Sequence, residues 1–130
     1  MWWRALRIWL LIVLVESIHG ALREMFVVPV LGDLPARQVA VFTGSLLIVL
    51  IATLTARWLA APTARQRLSV GAMWVALMVC FEVGLGVALR ATRERILSDY
   101  DLSQGGLMVL GLLVLLFAPL IGARIRPPHP

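Results

Sequence analysis

The sequence predicts an all-α integral membrane protein with four transmembrane helices, and three observations support this fold class. Apolar residues make up 61% of the chain and charged residues only 15%, whereas a soluble domain carries nearer about 25% charge. The apolar residues fall into four stretches, each long enough to cross the ~30 Å hydrocarbon core of a bilayer as a helix. The basic residues are all arginine and stand at the ends of these stretches. Such placement is typical of topology signals, so we expect the lipid bilayer as a partner and no nucleic acid.

The first helix is predicted over residues 6–28. Two arginines and three tryptophans occupy residues 1–9, a composition typical of a membrane interface. The first breaks in the apolar pattern are Pro29, Gly32 and Pro35. A cleaved signal peptide is disfavoured, because Glu16 interrupts the apolar run early and no small-residue cleavage site follows it.

The second helix is predicted over residues 35–59, with Asp33 as its cap. It carries small and hydroxyl-bearing residues, which we expect to allow close packing and hydrogen bonds between helices. These residues are Thr43, Gly44, Ser45, Thr53 and Thr55. Residues 61–68 are predicted as a short polar loop.

The third and fourth helices are predicted over residues 70–89 and 102–123. Between them, residues 90–97 are predicted as a short interfacial helix. Asp101 and Gln104 fit a capping box for the fourth helix. Pro119 should kink that helix or be accommodated by a neighbouring one. Together the four spans predict one membrane domain, residues 1–130, made of two helical hairpins.

The distribution of charge predicts the orientation. The N-terminus, the middle loop and the C-terminal tail carry seven arginines and no acid, namely Arg4, Arg7, Arg57, Arg65, Arg67, Arg124 and Arg126. The two opposite connectors carry arginines and acids in equal number. Because cytoplasmic loops are enriched in arginine, both termini are expected in the cytoplasm, in a bacterial inner membrane.

The two halves of the chain resemble each other at an offset of 66 residues. Residues 4–64 would form one repeat and residues 70–130 the other. The polar matches fall at equivalent places in each half, and they pair Glu16 with Glu82, Gly20 with Gly86, Asp33 with Asp99, and Gln38 with Gln104. Because each half holds two spans, the repeats would share one topology, with a pseudo-two-fold axis along the membrane normal.

Ionisable residues inside the apolar stretches mark the candidate site. Glu16, His19, Gly20 and Arg23 stand at relative positions 0, 3, 4 and 7, which is one stripe of a helix. A charged stripe is costly in lipid, so it should face protein or water. The third helix carries a second stripe, formed by Glu82, Gly86 and Arg90.

Two interpretations of these stripes stay open. In the functional one, Glu16 and Glu82 form a proton or cation site near the middle of the bilayer, with His19 as a relay and Gln38, Ser45 and Gln104 as ligands. In the structural one, each glutamate satisfies an arginine such as Arg23 or Arg90, a serine or a backbone group, and only fixes the register of its helix. Buried ionisable groups in membranes serve both purposes.

No metal site, cofactor or enzymatic centre is expected. His19 has no second histidine or cysteine near it in sequence, and no P-loop lysine accompanies Gly105 and Gly106. Ser17 and Glu16 are neighbours on a helix and point about 100° apart, so they do not form a nucleophile and its base. Cys80, the only cysteine, is expected to be a buried apolar residue.

Two long segments carry a resemblance to known proteins. They are ESIHGALREMFVVPVLGDLPARQVAVFTGSLL and FEVGLGVALRATRERILSDYDLSQGGLMVLGLL. They resemble small bacterial four-span membrane proteins of no named function, so the resemblance implies the fold without a ligand. A mid-helix glutamate in the first of four spans is also similar to small multidrug-resistance exporters. This chain differs from those exporters in its second glutamate, its charged connectors and its repeat.

Two functions therefore remain open from sequence. The first is a small transporter or channel-like protein that uses Glu16 and Glu82, acting through a narrow path or as a homo-oligomer. The second is an accessory or assembly subunit that packs against a larger membrane complex through its small residues.

Overall fold

The computed structural model describes residues 1–90, 92–98 and 107–127, and within them every regular element is helical. The elements are α1 (Trp2–Leu22), a π-helical turn (Arg23–Val27), α2 (Val28–Leu31), α3 (Asp33–Leu59), α4 (Ala64–Ala88), α5 (Arg93–Ser98) and α6 (Met108–Ile125). Four segments are long and apolar enough to cross a membrane: Trp2–Leu31, α3, α4 and α6. The prediction of an all-α protein with four membrane-spanning helices is confirmed to that extent.

The first span continues past the proline that was expected to end it. Pro29 lies in the first turn of α2, and the preceding turn is π-helical, with the Val28 N–H donating to the Arg23 carbonyl. A proline ring clashes with the carbonyl four residues earlier in a regular helix, and a wider turn relieves that clash. Gly32, with φ 86°, is where the chain bends instead.

The start of α3 differs from the predicted cap. Gly32 occupies the N-cap position, and no side-chain cap hydrogen bond is formed there. Asp33 lies one residue inside the helix, where its Oδ2 is 3.1 Å from Arg37 Nε. The aspartate therefore pairs with an arginine one turn along the helix, instead of capping the backbone.

The third span begins six residues earlier than predicted. The Thr63 hydroxyl accepts a hydrogen bond from the Gln66 backbone N–H, and the Gln66 side chain accepts one from the Thr63 N–H, both at 3.2 Å. This reciprocal capping box starts α4 inside the segment predicted as a loop. Arg67 Nε donates to the Ala61 carbonyl at 2.8 Å and holds the α3–α4 turn closed.

The connector after α4 contains the predicted short helix, observed as α5 over Arg93–Ser98. The last span begins at Met108 and continues through Pro119 to Ile125. The predicted capping pair Asp101 and Gln104 lies outside the described residues.

Glycines bring the helices of the bundle together. A Cβ on Gly71 of α4 would collide with the Leu116 backbone carbonyl of α6. A Cβ on Gly122 of α6 would come 2.6 Å from the Ala52 carbonyl group of α3. Such close backbone approach is typical of small residues between membrane helices. The sequence prediction placed close packing at the small residues of the second helix, whereas the glycines that make these contacts lie on α4 and α6.

The hydroxyl groups of α3 behave differently from the prediction. Ser45, Thr53 and Thr55 each donate to the carbonyl four residues earlier in the same helix. A hydroxyl near such a carbonyl satisfies itself locally, so these three do not bridge helices. Cys80 is exposed on the surface of α4, and its predicted burial is wrong.

An apolar core fills one half of the bundle. Its largest fully buried side chains are Trp74, Ile8, Ile12, Leu115 and Val70, contributed by three of the four spans. The Trp74 indole Nε1 donates to the Ala5 carbonyl at 2.9 Å, which satisfies the only polar atom of that buried ring.

Arginines gather at the same end of the bundle as this core. Arg4 Nη1 donates to the Trp58 carbonyl at 3.0 Å, and its guanidinium lies 5.6 Å from the Trp58 ring centroid. Arg57 Nε donates to the Pro127 carbonyl at 3.0 Å, and Arg126 Nη1 to the Leu54 carbonyl at 3.1 Å. We call this the arginine end. It joins the start of α1, the α3–α4 turn and the end of α6.

The packing order of the spans bears on the proposed repeat. α1 contacts α3 and α4, and α6 contacts the same two helices. The repeat makes α1 equivalent to α4 and α3 equivalent to α6, and in each pair the two helices are neighbours. A two-fold axis along the membrane normal would instead put equivalent helices at opposite corners of a four-helix bundle. The packing gives the axis no support, and the duplication stays a prediction.

Candidate functional site

A cavity of about 670 Å³ lies between the four spans, at the end of the bundle opposite the arginine end. Every span lines it: the end of α1 and its π-helical turn, the first half of α3, the second half of α4 and the start of α6. Of the predicted site residues, five line this cavity, namely Glu16, His19, Arg23, Gln38 and Glu82. Ser45, Gly20 and Gly86 line it as well.

Glu16 lies against α3 at a position where that helix has no side chain. A Cβ on Gly44 would be 2.8 Å from Glu16 Oε2, which is closer than a real Cβ contact. The other carboxyl oxygen, Oε1, is buried and has no hydrogen-bond partner among the described residues. Glu16 therefore lines the cavity while its carboxyl group packs against the backbone of α3, with one oxygen left without a donor among the described residues.

His19 connects Glu16 to α3. Its Nδ1 is 3.8 Å from Glu16 Oε2, and its Nε2 forms a hydrogen bond of 2.6 Å with the Thr43 hydroxyl. Imidazole can carry its proton on either nitrogen, and a hydroxyl can donate or accept. The three groups lie in sequence, but only the imidazole–hydroxyl contact is a hydrogen bond, and the His19 ring would have to move to bond to Glu16. The Thr43 hydroxyl also lies 3.4 Å from the Val39 and Ala40 carbonyls of its own helix.

Two consecutive charged residues of the π-helical turn, Arg23 and Glu24, line the cavity. Arg23 Nη2 lies 3.3 Å from Glu24 Oε1. Arg23 thus forms an ion pair with its chain neighbour, whereas the structural interpretation considered a pair with Glu16.

α3 contributes Arg37 and Gln38 to the same rim. Arg37 lies seven residues before Gly44, and Arg23 seven residues after Glu16, and each interval corresponds to about 10 Å of helix. Because Gly44 and Glu16 are in contact, both arginines lie at one level, nearer the α2–α3 bend. We call the part of the cavity lined by Glu16 and Glu82 its floor, and the part lined by Arg23 and Arg37 its rim.

Glu82 supplies the second carboxyl group of the floor, from α4. It lines the same cavity as Glu16. Phe81, beside it, also lines the cavity, and its ring meets Trp9 edge to face at 6.4 Å. Carboxyl-bearing residues of α1 and α4 thus line one cavity, and the site that the functional interpretation describes stays a prediction.

Two predicted residues are not brought to the cavity by the described part of the chain. Arg90 lies two residues beyond the end of α4 with φ 59°, is exposed, and is not among the residues lining the cavity. Gln104 lies outside the described residues.

The chain from Glu16 through His19 to Thr43 also has the group types of nucleophilic catalysis. Thr43, however, lies in the middle of α3, where backbone N–H groups are used in the helix and cannot bind an oxyanion. Among the described residues no three His, Cys, Asp or Glu side chains come together as a metal-binding group. The arrangement is best suited to moving a proton or holding a cationic group.

Sequence reasoning missed Thr43 and Gly44 as members of the site. The signal that could have found them is the antiparallel hairpin formed by α1 and α3. Residues about equally far along the chain from the α2–α3 bend face each other, which sets Glu16 against Gly44 and His19 against Thr43. Arg37 and Glu24 carried no separate signal, since a charge near the end of a span is ordinary.

No family model, curated protein or solved structure matches this chain. The structure defines an all-helical protein with four helices able to span a membrane and a polar cavity between them. Its function is therefore argued from the chemistry of the cavity.

Proposed function

We propose that this protein is a small membrane transporter or channel-like protein that binds a proton or cation at Glu16 and Glu82. One observation carries the proposal: carboxyl groups from two different spans line the same cavity at the depth where the helices are apolar. Ionisable groups at such depth are costly and mark ion or substrate pathways in membrane proteins.

His19 and Thr43 would extend the site as a proton relay. When Thr43 donates to Nε2, the imidazole presents its Nδ1–H to Glu16. When the tautomer reverses, Nε2–H donates to Thr43, and Nδ1 is free to accept a proton from Glu16. The charged groups facing this chain are Glu82 on α4, Arg37 on α3 and the Arg23–Glu24 pair.

The one-sided shape of the cavity favours a gated path over a permanently open pore. The cavity's inner end meets the apolar core that includes Ile12, Ile48, Met78 and Leu115. Apolar constrictions hold back water and ions until they open. Movement of the bundle, or assembly of several copies, would complete the path.

The arginine end gives the proposal its orientation. Cytoplasmic ends of membrane proteins are enriched in arginine, so both termini would be cytoplasmic in a bacterial inner membrane and the cavity would open outward. The proposal includes the internal repeat, because an offset of 66 residues in the sequence makes Glu82 the counterpart of Glu16. The cation site does not depend on that repeat.

Proton flux into proteoliposomes tests the proposal. Glu16→Gln and Glu82→Gln keep the shape of the side chain and remove its charge, so each should lower flux by about tenfold or more. Glu94→Gln, on the exposed surface of α5, is the matched control and should leave flux unchanged.

Melting temperature separates this role from the structural interpretation. If Glu16 only fixes helix register, Glu16→Gln should cost a few kcal/mol of stability, on the order of a broken buried pair. If the register depended on a pair with Arg23, removing Arg23 as well would then restore stability. Normal abundance with unchanged flux in every variant would contradict the proposal and favour an accessory subunit.

A further inference from the structure

The size of the cavity points to a ligand larger than an inorganic ion. Its volume of about 670 Å³ compares with about 30 Å³ for one water molecule in the liquid. Sites for organic small molecules measure about 300–1,000 Å³. A proton or a bare metal ion needs only a small part of this space.

The floor of the cavity favours a positively charged group that can donate hydrogen bonds. Glu16 and Glu82 both line it, and Glu16 Oε1 is buried without a donor among the described residues. An ammonium group offers up to three N–H donors and the opposite charge. A quaternary ammonium offers the charge alone.

The walls between floor and rim favour an apolar body. Phe81, Leu85, Met108 and Leu112 line the cavity from α4 and α6. Apolar and aromatic walls with a few convergent polar groups are typical of sites for organic ligands. A tightly coordinated metal ion would require a cluster of ligating side chains, and the described residues contain none.

The rim adds little net charge. Arg23 lies against Glu24 at 3.3 Å, and Arg37 against Asp33 at 3.1 Å. Since each arginine has a carboxylate beside it, the excess negative charge of the cavity belongs to its floor. The guanidinium charge of each rim arginine is therefore balanced by a neighbouring carboxylate.

We propose that the ligand of this cavity is an organic primary amine with an apolar body. It enters from the end opposite the arginine end and places its ammonium group between Glu16 and Glu82. The inference rests on the proposed cation site and names the class of its substrate. The distance of about 10 Å from floor to rim suits a body of one ring on a short chain.

Binding to the full chain in lipid nanodiscs tests the inference, with 4-phenylbutylamine as the probe and 4-phenylbutanol as its neutral match. The amine should bind saturably and at least about tenfold more tightly than the alcohol, because it adds a charge-assisted hydrogen bond. Glu16→Gln should weaken amine binding by a similar factor, and Glu94→Gln should not change it. Empty nanodiscs correct for partition into lipid.

A variant that fills the cavity gives a second readout. Gly20 lines the cavity, and a Cβ there would meet nothing within 4 Å. Gly20→Leu should therefore abolish amine binding while the melting temperature is retained. If the leucine disturbs folding, Gly20→Val offers the same test with a smaller side chain.

The outcomes separate this inference from the proposed function. Equal binding of amine and alcohol, or amine binding that survives Glu16→Gln, would overturn the inference. Proton flux that depends on Glu16 without any amine binding would overturn it and leave the proposed function standing. Saturable, Glu16-dependent amine binding without flux would support the inference and contradict transport.

Discussion

The Glu16 carboxyl group fits beside α3 because residue 44 is glycine. A Cβ at that position would lie 2.8 Å from Glu16 Oε2 and 3.4 Å from Oε1. The carboxyl group occupies the volume that any other residue would fill. Gly44 thus belongs to the site through the space it leaves open.

Replacing this glycine should disturb the site more than the fold. In Gly44→Ala the added methyl group should push the Glu16 side chain away from α3 and reduce Glu16-dependent proton flux. The melting temperature should change little, since the end of a side chain can move at low cost. Gly111→Ala is the matched control, because a Cβ there would sit at an ordinary 3.7 Å from Val41 Cγ1. Equal flux in the two variants would contradict this role of Gly44.

The Thr43 hydroxyl should affect the rate of proton movement. Thr43→Val keeps the shape of the side chain but removes the partner of His19 Nε2, so flux should fall by roughly tenfold. Thr43→Ser restores the hydroxyl and should restore most of the flux. Stopped-flow measurement of proton uptake into proteoliposomes compares the three. Full activity in Thr43→Val would remove Thr43 from the relay.

At the scale of residues, the sequence identified the ionisable residues that line the cavity but not the residues that contact them. Glu16, His19 and Glu82 stand out because ionisable groups are rare in apolar stretches. Thr43 and Gly44 are ordinary residues for a membrane helix and become meaningful only through the pairing of α1 with α3. Glu24 lines the cavity beside Arg23, and the spacing of a single helical stripe did not include it.

At the scale of helices, glycine contacts fix the bundle around the cavity. Gly71 brings α4 against the backbone of α6, and Gly122 brings α6 against the backbone of α3. In each case the obstacle to a larger residue is backbone, which cannot move aside as a side chain can.

Alanine at these contacts should therefore lower stability. Gly71→Ala and Gly122→Ala are each expected to cost about 1–3 kcal/mol through overpacking. Gly84→Ala, where a Cβ meets nothing within 4 Å, should cost nothing. Thermal unfolding in matched detergent compares the three variants. A loss for Gly84→Ala equal to the others would mean that alanine destabilises through helix propensity or the detergent state, and not through these contacts.

The helices themselves were largely predictable and their ends less so. Four apolar stretches predict four spans because a bilayer crossing requires about 20 apolar residues. The start of α4 was missed because Thr63 and Gln66 form a capping box inside a segment rich in arginine. The first span continues through Pro29 because the π-helical turn relieves its clash.

At the scale of the whole molecule, the two ends of the bundle differ in charge and in packing. Arginines and a dry apolar core mark one end, and the polar cavity marks the other. If the arginine end is cytoplasmic, the cavity would receive its ligand from the periplasm. The direction of access therefore depends on topology.

Reporter fusions measure that topology. Fusions at the C-terminus and after Leu68 should report a cytoplasmic location, and a fusion after Gly32, at the α2–α3 bend, should report a periplasmic one. The physical reason is the bias of seven arginines without an acid toward one side. A periplasmic C-terminus would reverse the orientation and place the cavity on the cytoplasmic side.

The central claim is that Glu16 and Glu82 share one cavity and bind a proton or cation there. Infrared difference spectroscopy of the full chain in lipid observes the carboxyl C=O stretch directly while the pH of the perfusing buffer is changed. The pH is kept above about 6, where exposed carboxyl groups stay ionised and contribute no such band. The wild type should show a carboxyl band that appears and disappears with pH. Glu16→Gln should remove part of that band and shift the remainder, because the Glu82 carboxyl group loses a neighbour with which it interacts. Glu94→Gln should leave the band unchanged. A spectrum without a pH-dependent carboxyl band, or one that is identical in Glu16→Gln, would contradict the claim.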